Sequence, residues 1–307
     1  MYTETEHQEP EKTVLLIGAT GVLGGLIAQA LLNKVDEGIN LRLLVRPGSR
    51  NKLAAEAAEK SEVVENEEDA FDGVHTVVSA VQGGPDVIVD TQLEWLRAAR
   101  AAGARRFIPS DYSMDLFGLD EGENVNSDWR RDFARRAEEE RGPVEVVHVL
   151  NGCFLDKDVL YGFLGAFDLE KDEAYLWGEG EDKMDFTTYA DTAAYVVEAA
   201  SDGRPLPEKF SVAGGSLTFH ELVDETAAGL GRPITVKKLG TLADLDAEID
   251  RRIQTDPDNM YFWLPLMYWR GMLNGKGKLG SLMNAQYPTV HPTGVRGYVE
   301  KMVEGVA

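Results

Sequence analysis

Glycines at positions 18, 21 and 24 constrain this 307-residue chain more tightly than any other feature. They lie in Gly18-Ala19-Thr20-Gly21-Val22-Leu23-Gly24, after an apolar run at 13–18 and at the head of a stretch of helical composition, 21–32. A short β-branched and leucine run reads as a buried parallel strand. A strand that turns at once into a helix needs one glycine for the turn. A second lets the backbone approach a pyrophosphate, and a third lets helix and strand pack closely. The helix N-terminus then offers N–H groups and partial positive charge to phosphate. This strand–turn–helix setting separates the pattern from a chance cluster of glycines. It predicts a dinucleotide-binding βαβ unit.

The alternation continues along the chain. Apolar runs at 41–45, 75–81, 106–109 and 144–150 read as further strands. Helical segments fall at 52–60, 90–102 and 128–141. Together they predict an α/β fold, a doubly wound parallel Rossmann sheet. After Asn151 the pattern loosens. Residues 185–200 read as strand, turn and helix with Asp191 as N-cap, 209–213 as a strand and 218–229 as a helix. The stretch 260–284 is rich in Tyr, Phe, Trp and Met, and reads as core and the wall of a substrate pocket. The expected organisation is a flexible tail at 1–12 and a dinucleotide domain at 13–152, to which elements near 184–214 return. A smaller C-terminal α/β substrate lobe makes up most of 153–307.

The end of the second strand selects between cofactors. An acidic residue there would hold the ribose hydroxyls of NAD. This chain has Arg46, then Arg50 and Lys52, and arginine pairs with phosphate in a planar, bidentate way. The 2′-phosphate of NADP(H) is therefore expected. These cations stand out because the net charge is −22. Such an acidic surface argues against nucleic acid and anionic membrane as partners. No run reaches the roughly 18 apolar residues that span a bilayer. The only cysteine, Cys153, leaves no internal disulfide and fits a reducing cytoplasm. His7, His75, His148, His220 and His291 show no metal-ligand spacing, so no metal is expected; His148 reads as a hydrogen-bonded core residue.

The stretches VLLIGATGVLGG (14–25), LRLLVRPGSRNK (41–52), RRFIPSDYSMD (105–115) and NGCF (151–154) carry a resemblance. With DFTTYADTAAYVVEAA (185–200), the run 210–234 and HPTGVRGYVEKMV (291–303), the chain resembles the NmrA-like and isoflavone-reductase-like branch of the atypical short-chain dehydrogenases. The resemblance implies NADP(H) bound over the carboxyl ends of the strands. By position it implies that Gly18, Thr20, Gly21, Val22 and Leu23 hold the pyrophosphate. Arg46, with Arg50 or Lys52, would hold the 2′-phosphate. Ser79, Ala80, Val81 and Gln82 would line the path of adenosine and nicotinamide ribose, and Asn151, Gly152, Cys153 and Phe154 would flank the nicotinamide.

The chain also departs from that pattern. Reductases of the family carry a lysine on the helix before the sixth strand; here the position falls at or next to Arg131, and 128–141 contains no lysine. Arginine keeps its proton near neutral pH and is a poor general acid, although it can orient a hydroxyl or oxyanion. The Tyr-x-x-x-Lys pair is missing too, since Leu116 stands four residues after Tyr112. Candidate catalytic residues are thus Tyr112 as proton donor, Arg131 as an orienting group, and Lys157 just beyond the NGCF turn. Two functions have support in the sequence, while a third, an isomerase or epimerase that keeps NADP tightly bound, has no dedicated signal. One is an NADP(H)-dependent reductase of a small apolar, aromatic or quinone-like compound. The other is a non-catalytic NADP(H)-binding redox sensor of NmrA type that acts on a protein partner. A homodimer is compatible with either.

Overall fold

The computed structural model describes residues 12–306, so most of the expected tail, and His7 with it, lies outside the described residues. The chain forms two compact units. The first comprises the residues up to Ser110 together with Arg136–Val147 and Val196–Glu208. The second comprises Asp111–Arg135, His148–Tyr195 and the chain from Lys209 onward.

The first unit is built on six parallel strands: β1 (Lys12–Ile17), β2 (Ile39–Leu44), β3 (Glu62–Val64), β4 (Val74–Ser79), β5 (Arg106–Ile108) and β6 (Glu145–Val146). Their order is β3-β2-β1-β4-β5-β6. That order reverses between β1 and β4, and right-handed crossovers then place the helices of the two halves on opposite faces. Val14, Leu15 and Leu16 of β1 have no exposed surface, as expected of a central strand covered on both sides. In register, Ile17 pairs with Leu44 on one side and Ser79 on the other. The carboxyl ends of β1, β2 and β4 therefore stop at one level, where ligands bind in open α/β sheets.

One buried charge helps tie this unit together. The Arg106 side chain is fully buried. Its guanidinium donates to Glu145 Oε2 at 2.7 Å and to the carbonyls of Ala199, Asp202 and Arg204. A buried arginine is tolerated when its donors are satisfied in this way.

In the second unit, Met184–Thr187 pairs in parallel with Cys153–Phe154 and antiparallel with Gly215–Leu217. His148–Leu150 pairs with Lys209–Ser211, and Glu173–Trp177 lies between Thr235–Gly240 and Phe167–Asp168. The run expected as one strand at 144–150 is thus divided, β6 lying in the first unit and His148–Leu150 in the second. The aromatic-rich stretch forms a 14-residue helix, Met260–Leu273, with Pro265 inside it. Leu264, Trp269, Met272 and Leu273 are buried, and the Trp269 indole donates to Leu164 O at 2.8 Å. Asp191 is not the N-cap of its helix, Tyr189–Ser201. Thr188 caps it, accepting from Asp191 N at 3.0 Å, while the Asp191 carboxylate accepts from Thr188 Oγ1. Among the described residues no helix is long and apolar enough to cross a membrane.

Candidate functional site

The glycine loop leaves β1 at the level just described, and its three glycines do separate work. Gly18 has φ +98°, and a Cβ there would lie 2.4 Å from Ala80 O. Gly24 opens no turn; a Cβ on it would lie 2.1 Å from Gly18 O, so the helix Val22–Leu32 can approach the loop only without a side chain at this point. Gly21 has room for a side chain, its nearest neighbour being Gly18 O at 3.5 Å, and it forms the open edge of the loop. Its N–H donates to Gly18 O at 3.1 Å. The helix that follows has no side-chain N-cap and no acidic residue in its first turn. Its N-terminal field is thus left for an outside anion. Thr20 and Gly21 are exposed, Leu23 is half-buried, and Val22 is 69% exposed, high for an apolar side chain at this position.

Arg46 emerges two residues beyond β2 and is exposed, as are Arg50 and Lys52 in the following turn. Among the described residues the side chains of Arg46 and Lys52 bond to nothing, and Arg50 makes one 3.5 Å contact with Ala58 O. Elsewhere the basic side chains are mostly matched to carboxylates, as at Arg42–Glu62, Arg97–Glu140 and Arg136–Asp90. Among the described residues these three cations have no carboxylate partner, a local excess of positive charge in a chain with a −22 balance. At the end of β4, Ser79 is buried, Ala80 N donates to Ile17 O at 2.8 Å, and Val81 O accepts from Ser110 Oγ at 2.6 Å. Gln82 is exposed. The first unit thus brings Gly18–Leu23, Arg46 and Ser79–Gln82 to one edge of the sheet.

In the second unit the segments 111–113 and 148–152 run side by side. Tyr112 N donates to Val149 O at 3.1 Å, and the N–H groups of Asn151 and Gly152 both donate to Ser113 O. Gly152 has φ +71°, with no space for a Cβ against Asp185 O. The Asn151 side chain is fully buried, and among the described residues neither its amide nitrogen nor its oxygen has a hydrogen-bond partner. A buried amide left so costs about 1–3 kcal/mol per unmade bond. Cys153 is buried, and burial pushes its thiol up to about 12, which makes it inert as a nucleophile. Phe154 stacks on Tyr189 with ring centroids 4.1 Å apart.

Tyr112 is 8% exposed, and burial, reinforced by Asp111, holds its phenol far above the ordinary range. Arg131 does not meet Tyr112. Its guanidinium donates to the carbonyls of Leu119 and Asp120 and pairs with Asp128, which makes it a brace of its own loop. The neighbouring Arg130 is the one that reaches this cluster, its Nε donating to Asp111 O at 3.2 Å. Lys157 is exposed, and its backbone N–H donates to Tyr298 Oη at 2.8 Å. Sequence reading passed over Arg130 and Asp111. It took His148 for a hydrogen-bonded core residue, and its partner is the buried Asp111 carboxylate, with Nδ1 2.5 Å from Oδ2. The hint available in the sequence was a histidine inside an apolar run and an aspartate two residues past the strand expected at 106–109.

The strand order and the glycine turn into an uncapped helix define an α/β protein of the doubly wound Rossmann class. More narrowly, the NmrA-like family model matches residues 10–265, and the chain belongs to that family. Isoflavone reductase from Pisum sativum is 23% identical over 219 residues, covering 64% of this chain and 68% of the relative. The solved structure of AtPrR2 with NADP+ and (+)-pinoresinol superposes with a TM-score of 0.77 at 21% identity, over 95% of this chain and 99% of that one. The binary complex of leucoanthocyanidin reductase with NADPH from Vitis vinifera gives 0.75 at 21% identity, over 94% and 99%. These likenesses establish the fold, a Rossmann sheet with a C-terminal lobe.

Proposed function

We propose that the chain is an NADP(H)-dependent reductase of a small apolar compound, aromatic or quinone-like in character. The carrying observation is the group Arg46, Arg50 and Lys52, exposed and without carboxylate partners among the described residues, in the same unit as an uncapped glycine loop. The relatives' names and the cofactors in the two solved complexes point the same way. NADPH, when bound, supplies the hydride. In this reading the loop Gly18–Leu23 holds the pyrophosphate and Arg46 grips the 2′-phosphate, with Arg50 or Lys52 beside it. Ser79–Gln82 line the ribose path. Asn151–Phe154 flank the nicotinamide, and the Asn151 amide, a donor and acceptor with neither bond made among the described residues, complements a carboxamide. Tyr112 donates the proton.

The test is direct. Purified protein is titrated with NADPH and NADH in a calorimeter, then assayed for NADPH oxidation with carbonyls, enones and quinones. Preference for NADPH with turnover of at least one acceptor class supports the reading; NADPH binding without oxidation across the panel counts against it. A second reading, a regulatory NADP(H) sensor, draws on Arg131, whose donors are occupied at the position where a lysine is expected. A sensor must distinguish NADP+ from NADPH, so equal affinities would count against it.

A further inference from the structure

Among the described residues only Tyr112 and Asp172 adopt positive φ without being glycine, and Tyr112, at φ 37°, is the buried one. A bulky aromatic in this region is strained, and such strain persists only where the surroundings over-determine it. Both sides of Tyr112 are clamped. Before it, the Asp111 carboxylate is buried against the His148 ring, and the Asp111 carbonyl accepts from Arg130. At and after it, Tyr112 N donates to Val149 O, and Ser113 O accepts two N–H groups. The Phe117 ring meets His148 edge-on at 5.1 Å and helps cover the pair. The other Asp111 oxygen, Oδ1, is buried without a partner among the described residues. A buried, half-satisfied polar pair of this kind is poor stabilising material, and a packed apolar pair would hold the fold as well.

We propose that the buried Asp111–His148 pair, with Arg130, is a positioning device that fixes Tyr112 as proton donor. The inference rests on the reductase reading above. In the step served, hydride adds to the acceptor carbon, the Tyr112 O–H bond breaks and its proton passes to the acceptor oxygen. The tyrosinate then regains a proton from water. Asp111 and His148 exchange no proton in this step; they set where the phenol stands.

The experiment uses the full chain with NADPH, and 1,4-naphthoquinone and cinnamaldehyde as probe acceptors. Tyr112→Phe is expected to lower kcat by roughly 100-fold. His148→Leu is expected to lower kcat by roughly tenfold or more through misplacement, with KM and the NADPH Kd little changed. His148→Asn, which can keep a donor towards Asp111, restores most of the loss, and Asp111→Asn does the same from the other side. In the Tyr112→Phe background His148→Leu costs nothing further. A His148→Leu loss that persists undiminished in that background, or no loss at all, overturns the proposal. If the wild-type chain oxidises no NADPH with either probe, the reductase reading falls and the positioning is decided by carbon-13 NMR of the tyrosine Cζ. The Tyr112 resonance should move in His148→Leu and return in His148→Asn; an unmoved resonance overturns it.

Discussion

Arg46 and Arg131 both stand out in the sequence as candidates to hold an anion or hydroxyl, and the structure treats them in opposite ways. Arg46 is exposed beyond β2 with no partner among the described residues. Arg131 spends its donors on Leu119, Asp120 and Asp128. Residue type announces what a guanidinium can do, whereas the groups around it decide what it is left to do. In a chain this acidic, most basic side chains among the described residues meet a carboxylate, and Arg46 does not.

The contrast can be broken experimentally. The largest effect is expected at the loop itself. Gly24→Val drives a side chain into Gly18 O, since even a Cβ would lie at 2.1 Å. It should raise the NADPH Kd by roughly 100-fold, about 2.8 kcal/mol. Calorimetry reads the affinity, and a thermal melt separates it from unfolding. Arg46→Ala with Arg50→Ala comes next. Hydrogen bonds to charged groups contribute about 1.5–3 kcal/mol, so NADPH should weaken by roughly 10- to 100-fold while NADH is unaffected. Equal losses for the two cofactors would refute the 2′-phosphate assignment. Arg131→Ala sharpens the other half. A brace that leaves carbonyls unsatisfied should cost about 1–3 kcal/mol of stability, seen in urea unfolding, with a smaller change in NADPH affinity. An anchor would show the reverse.

The smallest effect is in alkali. Burial is the leading cause that raises Cys153, Tyr189 and Tyr298, each to about 12. These groups keep their protons in the folded chain after the unfolded chain has lost them, near pH 8.5 for cysteine and 10 for tyrosine by model values. Above about pH 8.5 the unfolded state binds fewer protons, so stability falls with pH until about 12. Denaturant midpoints measured from pH 8 to 11 should decline, and a flat profile would contradict the burial of these groups.

Much of the first unit was legible because its signals are local. The strand-to-helix turn at Gly18–Gly24, the alternation of apolar runs and helices, and the cations after β2 are each contained within a few dozen residues of sequence. The second unit hid more. Asp111 and His148 stand 37 residues apart, and nothing local in either segment pairs them. That Arg130, rather than Arg131, reaches Asp111 depends on the side-chain directions of one helix. Met260–Leu273 was not legible as a helix, since Pro265 interrupts its pattern and packing outweighs the lost hydrogen bond. Asp191 was assigned one role too early, because the threonine three residues before it competes for the same cap.

Arg106 carries a consequence for how the molecule is made. Three of its acceptors, the carbonyls of Ala199, Asp202 and Arg204, lie 93 to 98 residues further along the chain. A ribosome that has just released β6 has produced a nucleotide fold whose deepest cation still awaits its acceptors. The first half of the gene product is therefore not an autonomous apprentice of the second. A fragment ending at residue 152 should stay loose or aggregate, and a polypeptide continued past Arg204 should be the shortest nascent chain in which this sheet sets.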